Sequence, residues 1–372
     1  MSFLTSLGLM SGTSMDGIDG AILVSDGESL QRFGPVHYRP YSEQEQALLR
    51  KAVQEAISLK DRTARPEALR KAEQMLTDAH CEVIAVLLEK ARAESLAIES
   101  IGFHGQTVVH KPEDRLTIQI GAAQKIADRF HIPVVADFRA ADVSAGGEGA
   151  PLVPIMHLAL AKLAKLPLPV AIVNIGGVAN VTIIDSNETL TAFDTGPGNA
   201  LINDFIQKRC EASMDQDGKI ALSGRANEKV LEKLLNDSYF LRLPPKSLDR
   251  NHFKYVLEFI EGMSTEDGAA TLTAFTAASL AFSLQRTEKK LQKVIIAGGG
   301  ARNPTLMAEL KRRTNLDIVT ADILGWDIDF IEAQAFAFLA VRSLRGLPLT
   351  FPGTTGVKKP MTGGVVFQPR SG

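Results

Sequence analysis

Two carboxylates and two hydroxyls crowd one short glycine-bearing turn near the N-terminus, Gly12-Thr13-Ser14-Met15-Asp16-Gly17-Ile18-Asp19. Glycine lets a backbone approach a ligand closely. Successive N–H groups in such a turn form a concavity for anions. Thr13 and Ser14 add hydroxyl donors, and Asp16 and Asp19 are suited to hold a metal ion through water. A simple hairpin needs only an Asn-Gly or Asp-Gly pair. The turn therefore reads as a phosphate loop or as a long polar hairpin, and the segment alone does not separate the two. A second such stretch is Phe193-Asp194-Thr195-Gly196-Pro197-Gly198. An acid at the end of a buried strand can act as general base toward a hydroxyl or a water. It can equally form an Asx-turn or cap the following helix.

Two further glycine turns, Gly176-Gly177 and Gly298-Gly299-Gly300, follow strand-like runs. Neither matches G-x-x-x-x-G-K-[ST], which excludes a Walker-A NTPase, and neither is a G-x-G-x-x-G opening a βαβ helix. The turn at Gly298 offers a flat surface of close backbone approach, suited to adenine or ribose. Asn303 and Pro304 after it read as the cap and first residue of a helix. His104, before Gly105-Gln106-Thr107, can hydrogen-bond a sugar hydroxyl or satisfy a structural role. The planar fork of Arg139 suits a carboxylate, or an ion pair with a nearby Asp. Glu332 opens an apolar helix, where it favours the helix N-terminus or points into a cleft.

The elements that must position these residues fall into two similar sets. Apolar runs predict strands over 3–10 and 18–24 around the first turn and a third near 34–39. Helices over 43–59 and 67–94 follow, then strands over 100–104, 116–120 and 132–138. The second set has strands over 170–175, 178–184 and 189–193, then helices over 200–210, 228–235 and 269–291. It closes with strands over 293–297 and 316–320 and helices over 304–313 and 331–344. Each set is a hairpin, a third strand, and parallel strands joined by helices, which implies a mixed sheet. Two such units side by side leave a cleft faced by the loops at the strand ends. The predicted division is 1–145 and 146–345, with 145–154 as a candidate connector whose composition also fits a hinge or a substrate loop. The tail 346–372 reads as irregular coil that packs in part on the first unit.

At 372 residues, 45% hydrophobic and 23% charged, the chain suits two soluble domains, each with its own core. A net charge of −2 points away from nucleic acid and from anionic membranes. Two cysteines, Cys81 and Cys210, make no disulfide framework and fit a reducing compartment. No secretory signal and no apolar run of spanning length is visible, so a cytoplasmic protein is expected.

Taken together, the motifs resemble those of the anhydro-N-acetylmuramic acid kinase family, within the sugar kinase/actin/heat-shock-chaperone ATPase superfamily. The resemblance rests on Gly8-Leu9-Met10-Ser11-Gly12-Thr13-Ser14-Met15-Asp16-Gly17, on Gly105-Gln106-Thr107 after His104, and on Val135-Ala136-Asp137-Phe138-Arg139. It continues through Gly149-Ala150-Pro151-Leu152-Val153-Pro154, Asn174-Ile175-Gly176-Gly177, Phe193-Asp194-Thr195-Gly196-Pro197-Gly198-Asn199 and Gly298-Gly299-Gly300.

The resemblance implies an α/β fold of two ribonuclease-H-like domains, the actin-like ATPase arrangement, flanking an active-site cleft. It implies that ATP and Mg²⁺ serve to convert 1,6-anhydro-N-acetylmuramic acid and water into N-acetylmuramic acid 6-phosphate. Asp194 matches the family's base, and Gly12, Thr13, Ser14, Met15, Asp16, Gly17, Ile18 and Asp19 match its ATP phosphate loop. Gly176, Gly177, Gly298, Gly299 and Gly300 complete the nucleotide site, and His104, Arg139 and Glu332 lie in its sugar-binding motifs. Mg²⁺ is then held mainly through the ATP phosphates, with Asp16 or Asp19 acting through water. The implied setting is murein recycling by a homodimer in a bacterial cytoplasm. A kinase for another amino sugar, or a non-enzymatic sugar-sensing or chaperone-like ATPase on the same fold, are the competing readings.

Overall fold

The structure, a computed structural model, describes residues 2–287 and 290–370. The chain forms two compact units, Met1–Ala164 with Asp329–Gly372, and Lys165–Ile328. The first holds strands β1 (Leu4–Ser11), β2 (Gly17–Ser25), β3 (Leu30–Pro40), β4 (Ser100–Lys111), β5 (Leu116–Ile120) and β6 (Val134–Ala136). The second holds β7 (Val170–Ile175), β8 (Val178–Ile184), β9 (Leu190–Pro197), β10 (Lys293–Ala297) and β11 (Ile318–Thr320). A last strand, β12 (Val365–Phe367), returns to the first unit.

The two sheets share one topology. In the first, the order is β12-β6-β4-β1-β2-β3, with β5 paired to β4. In the second it is β11-β10-β7-β8-β9. Each has an antiparallel hairpin and third strand, β1-β2-β3 or β7-β8-β9. Each then adds two parallel strands beside the first strand of the hairpin, β4 and β6 or β10 and β11. The mixed α/β architecture, repeated in two units, agrees with the sequence-based expectation.

Local signals set the helix ends. Ser42 and Glu45 close a reciprocal capping box on the helix Glu43–Ala56. Asn303 caps Pro304–Arg313 by accepting from the Leu306 N–H. The helix Thr265–Gln285 is buried on nearly every side, so it is the central helix of the second unit.

Several elements differ from expectation, among them the following. The helix Ile331–Leu344, expected to close the second half, belongs to the first unit, where it packs on β1, β2 and β4. The division therefore falls at Ala164/Lys165 and Ile328/Asp329, not at 145/146 and 345/346. Strand β4 does not stop at His104; it continues to Lys111 through an irregularity between the Leu9↔Phe103 and Ser11↔Gln106 pairs. Strand β9 likewise runs past Asp194 to Pro197, with a register shift that puts Asn180 opposite Asp194 and Ala179 opposite Gly196. The tail is not all coil: Val365↔Ala136 and Phe367↔Val134 pair β12 with β6. Residues 371–372 of that tail lie outside the described residues.

Two paired glycines let the helix Ile331–Leu344 rest on the sheet. Gly8 of β1 sits opposite Gly102 of β4. A Cβ on Gly8 would lie 1.9 Å from the Ala333 carbonyl oxygen, and one on Gly102 would lie 2.0 Å from that of Phe336. Gly102→Ala is therefore expected to lift the helix and lower stability by about 1–3 kcal/mol. Gly262→Ala, where a Cβ meets nothing within 4 Å, should stay within about 0.5 kcal/mol of the parent. Urea titration of both variants checks this, and equal midpoints would contradict the packing argument.

Candidate active site

The acidic turn of the first unit joins β1 to β2. Residues 12–16 form the turn proper, because β2 already begins at Gly17. The Met15 N–H donates to the Gly12 carbonyl at 3.1 Å, and Met15 takes a φ of +56°. Ser14 Oγ donates to Asp16 Oδ1 at 2.7 Å. Thr13, Ser14 and Asp16 are exposed at the tip. Ile18 is fully buried in the core of the unit, so only its backbone is available to a ligand.

A polar network braces this turn from inside. Ser11 Oγ donates to Gln106 Oε1 at 2.6 Å, and Gln106 Nε2 donates to the Gly12 carbonyl at 3.1 Å. With its proton so used, Ser11 Oγ accepts from Tyr41 Oη at 2.9 Å. The Asp16 carbonyl accepts from the Tyr41 N–H at 2.8 Å and from Tyr38 Oη at 3.1 Å. Tyr38 and Tyr41 carry no local signal for this role, whereas Ser11 carried one in its place directly before Gly12. Gln106 carried one, its place directly after His104-Gly105.

The same unit brings His104, Arg139 and Glu332 together. His104 is buried where β4 becomes irregular. Its Nδ1 lies 2.8 Å from the Gly105 carbonyl, and its Nε2 lies 3.2 and 3.1 Å from Arg139 Nε and Nη2. Guanidinium nitrogens only donate. Nε2 is therefore the acceptor, and the proton of the neutral ring sits on Nδ1. Burial first, and then the Arg139 charge, hold His104 well below the usual imidazole range. Arg139 also donates from Nη1 to the Gly149 carbonyl at 2.8 Å. The Gly149 N–H donates to Asp142 Oδ1 at 2.6 Å, and Thr355 Oγ1 donates to Asp142 Oδ2 at 2.6 Å. Burial lowers the Arg139 guanidinium to about 10, against the attraction of Glu332 and Asp142. Burial raises the Glu332 carboxyl and the Arg139 charge opposes it; because Glu332 is solvent-exposed, water weakens the first effect.

In the second unit the glycine turns converge. The β7–β8 turn is Gly176-Gly177, whose carbonyls accept from the Asn199, Gly198 and Ala200 N–H groups. A Cβ on Gly298 would lie 2.3 Å from Asn174 Oδ1, so the ends of β10 and β7 meet there. Gly177 and Gly299 are exposed, and Gly300 is buried against Ile175.

Asp194 stands on β9 of this unit. Its Oδ2 accepts from the Leu248 N–H at 2.8 Å. Its own N–H donates to the Lys246 carbonyl at 3.0 Å, and its carbonyl accepts from Tyr239 Oη at 2.6 Å. One segment, 239–248, thus grips its backbone and one carboxylate oxygen. Burial raises the Asp194 carboxyl to about 6, with the Leu248 N–H opposing. Such a group changes protonation state near neutral pH, as a general base needs. Among the described residues there is no cluster of three or more His, Cys, Asp or Glu that could hold a metal ion.

A family profile described as anhydro-N-acetylmuramic acid kinase matches residues 4–369. A protein of that name from Bradyrhizobium diazoefficiens is 50% identical over 367 residues, covering 98% of this chain and all of the relative. A second, from Methylobacterium nodulans, is 50% identical over 376 residues with the same coverage. A third, from Azorhizobium caulinodans, is 50% identical over 369 residues, again covering 98% of this chain and all of the relative.

The raised Asp194 carboxyl has a signed consequence for stability. Between the ordinary value of 3.8 and about 6, the folded state holds the proton more tightly than the unfolded chain. Stability from this residue therefore falls as pH rises through that window. Asp194→Asn should lose this slope, so its stability relative to the parent should improve from pH 4 to pH 6. Parallel urea titrations at the two pH values read the difference, and an unchanged difference would place the carboxyl in the ordinary range.

Proposed function

This chain belongs to the anhydro-N-acetylmuramic acid kinase family, and we propose that it converts 1,6-anhydro-N-acetylmuramic acid, water and ATP into N-acetylmuramic acid 6-phosphate and ADP. In this reading Asp194 takes a proton from water as its oxygen bonds to the anomeric carbon. The bond from that carbon to O6 breaks, and O6 takes the γ-phosphoryl group. The observation that carries the assignment is the Asp194 carboxyl itself. It is raised toward neutrality by burial, and among the described residues a backbone N–H occupies one of its two oxygens. A base so held is ionised at neutral pH and keeps an oxygen for the nucleophile.

The remaining roles follow from the chemistry of each group. Phosphoryl transfer asks for positioning and charge neutralisation more than for covalent participation. Gly12, Thr13, Ser14, Met15, Asp16, Gly17, Ile18 and Asp19 are proposed to bind the ATP phosphates, Ile18 through its backbone alone. Gly176, Gly177 and Gly298–Gly300 are proposed to take the rest of the nucleotide. His104, Arg139 and Glu332 are proposed to bind the sugar. The oxygen donors of the acidic turn suit a hard divalent cation. Mg²⁺ would sit mainly on the ATP phosphates, with Asp16 or Asp19 acting through water, and would supply charge neutralisation to the transferred group. We extend the reading to a cytoplasmic homodimer.

Turnover in ¹⁸O-labelled water should put label on the anomeric oxygen of the product; label confined to phosphate would sink the ring-opening step. Asp194→Asn should lower kcat by about 10²–10⁴-fold while sparing ATP affinity. The parent kcat/KM should fall on the acid side of about pH 6. Arg139→Lys cannot serve His104 and Gly149 with one planar fork, so the sugar KM should rise roughly tenfold or more. An unchanged sugar KM in a folded variant would remove Arg139 from sugar binding. Sugar binding without ADP release by the parent would favour a sensor over a kinase.

A further inference from the structure

The second unit holds a cavity of about 400 Å³ lined by Phe193, Phe240 and Phe282 and by three cations, Arg242, Lys246 and Arg286. Thr191 and Phe193 of β9 face it, and successive strand residues point to opposite sides. The cavity therefore lies on the face of β9 away from the Asp194 side chain. No lining residue among those described is acidic.

Among the described residues, none of the three cations has a carboxylate within ion-pair distance. Lys246 is only 7% exposed. Its Nζ donates to the Tyr239 carbonyl at 3.0 Å and lies 4.5 Å from the Tyr239 ring centroid. An ammonium has three donors, so this one carbonyl leaves capacity to spare. Arg242 and Arg286 lie over the rings of Tyr239 and Phe282, at 5.7 and 5.1 Å. Burial first, and then these two guanidinium charges, lower the Lys246 ammonium to about 8. Three like charges converging on aromatic walls repel one another, and an anion between them relieves that repulsion.

We propose that this cavity is a regulatory site for a small phosphorylated molecule with a ring or apolar body, distinct from the site that holds Asp194. The phosphate meets the three cations and the body lies against the phenylalanines. The segment that supplies Phe240, Arg242 and Lys246 to the cavity is the one that grips Asp194 through Tyr239, Lys246 and Leu248. Occupancy therefore acts on the environment of Asp194. That coupling rests on Asp194 being the base, whereas binding does not.

The test is isothermal titration of the full-length protein with 1-naphthyl phosphate, and with 1-naphthol and inorganic phosphate as its two halves. 1-Naphthyl phosphate should bind at least about tenfold more tightly than either half. The double variant Arg242→Gln/Arg286→Gln, at two exposed positions, should lose at least about tenfold in affinity. Thr191→Trp, which fills the cavity without changing charge, should also lose binding. No binding by the parent, or equal binding by both variants with their folds intact by circular dichroism, would overturn the site. Saturating 1-naphthyl phosphate should also move the acid limb of the parent's pH–rate profile and leave that of the double variant in place. An unmoved limb with the probe bound would overturn the coupling alone.

Discussion

The backbone of the helix Ile331–Leu344 lies on the sheet of the first unit at a distance that only hydrogen atoms permit. Gly8 and Gly102 face each other on adjacent parallel strands, and each would place a Cβ about 2 Å from a helix carbonyl. Backbone atoms cannot move aside as the end of a flexible side chain can. The approach is therefore decided at these two positions. Phe336 then comes within ring contact of His104 and Phe138, at 4.7 and 5.3 Å. Glu332, one turn earlier, comes within the field of Arg139. The sugar-binding residues proposed for the first unit are together because two side chains were omitted.

Within that frame a single guanidinium does several jobs. Arg139 donates to His104 and to the Gly149 carbonyl, and it faces the charge of Glu332. Its donors fix the imidazole tautomer, because an acceptor at Nε2 requires the proton at Nδ1. Its other arm ties β6 to the loop that Asp142 and Thr355 hold in turn. Lysine would carry the charge but not the fork.

The second unit solves a different problem. A carboxylate in water is a weak base, and burial strengthens it at the risk of leaving a polar group unpaired. Asp194 is taken partly out of water, and the segment 239–248 supplies a backbone donor that keeps its carboxylate oriented. The register shift in β9 beside it re-aims the strand at that point. The same segment carries two of the three cations around a separate cavity, so Asp194 and that cavity share one support.

Much of this was legible in the residues. Alternating and helical periodicities marked most elements, and the repeat of hairpin, third strand and parallel strands was visible as a pattern of types. The acidic turn, the glycine pairs and Asp194 stood out because their residue types are costly without a purpose. Fold class follows from such local information, since turn chemistry and apolar spacing act over a few residues; the family rests on the resemblance of whole motifs and on relatives 50% identical over nearly the whole chain. Tertiary structure alone decided the rest. The helix Ile331–Leu344 is apolar on nearly all sides, so its sequence names no partner; the steric gap at Gly8 and Gly102, with Arg342 donating to the Gly27 carbonyl, joins it to the first unit. Ser11, Tyr38 and Tyr41 brace the acidic turn through contacts spanning up to 95 residues. Asp194 owes its raised pKa to burial that includes chain about 50 residues away. A residue's type travels with the sequence, but its electrostatic environment is a sum over neighbours that only folding brings near.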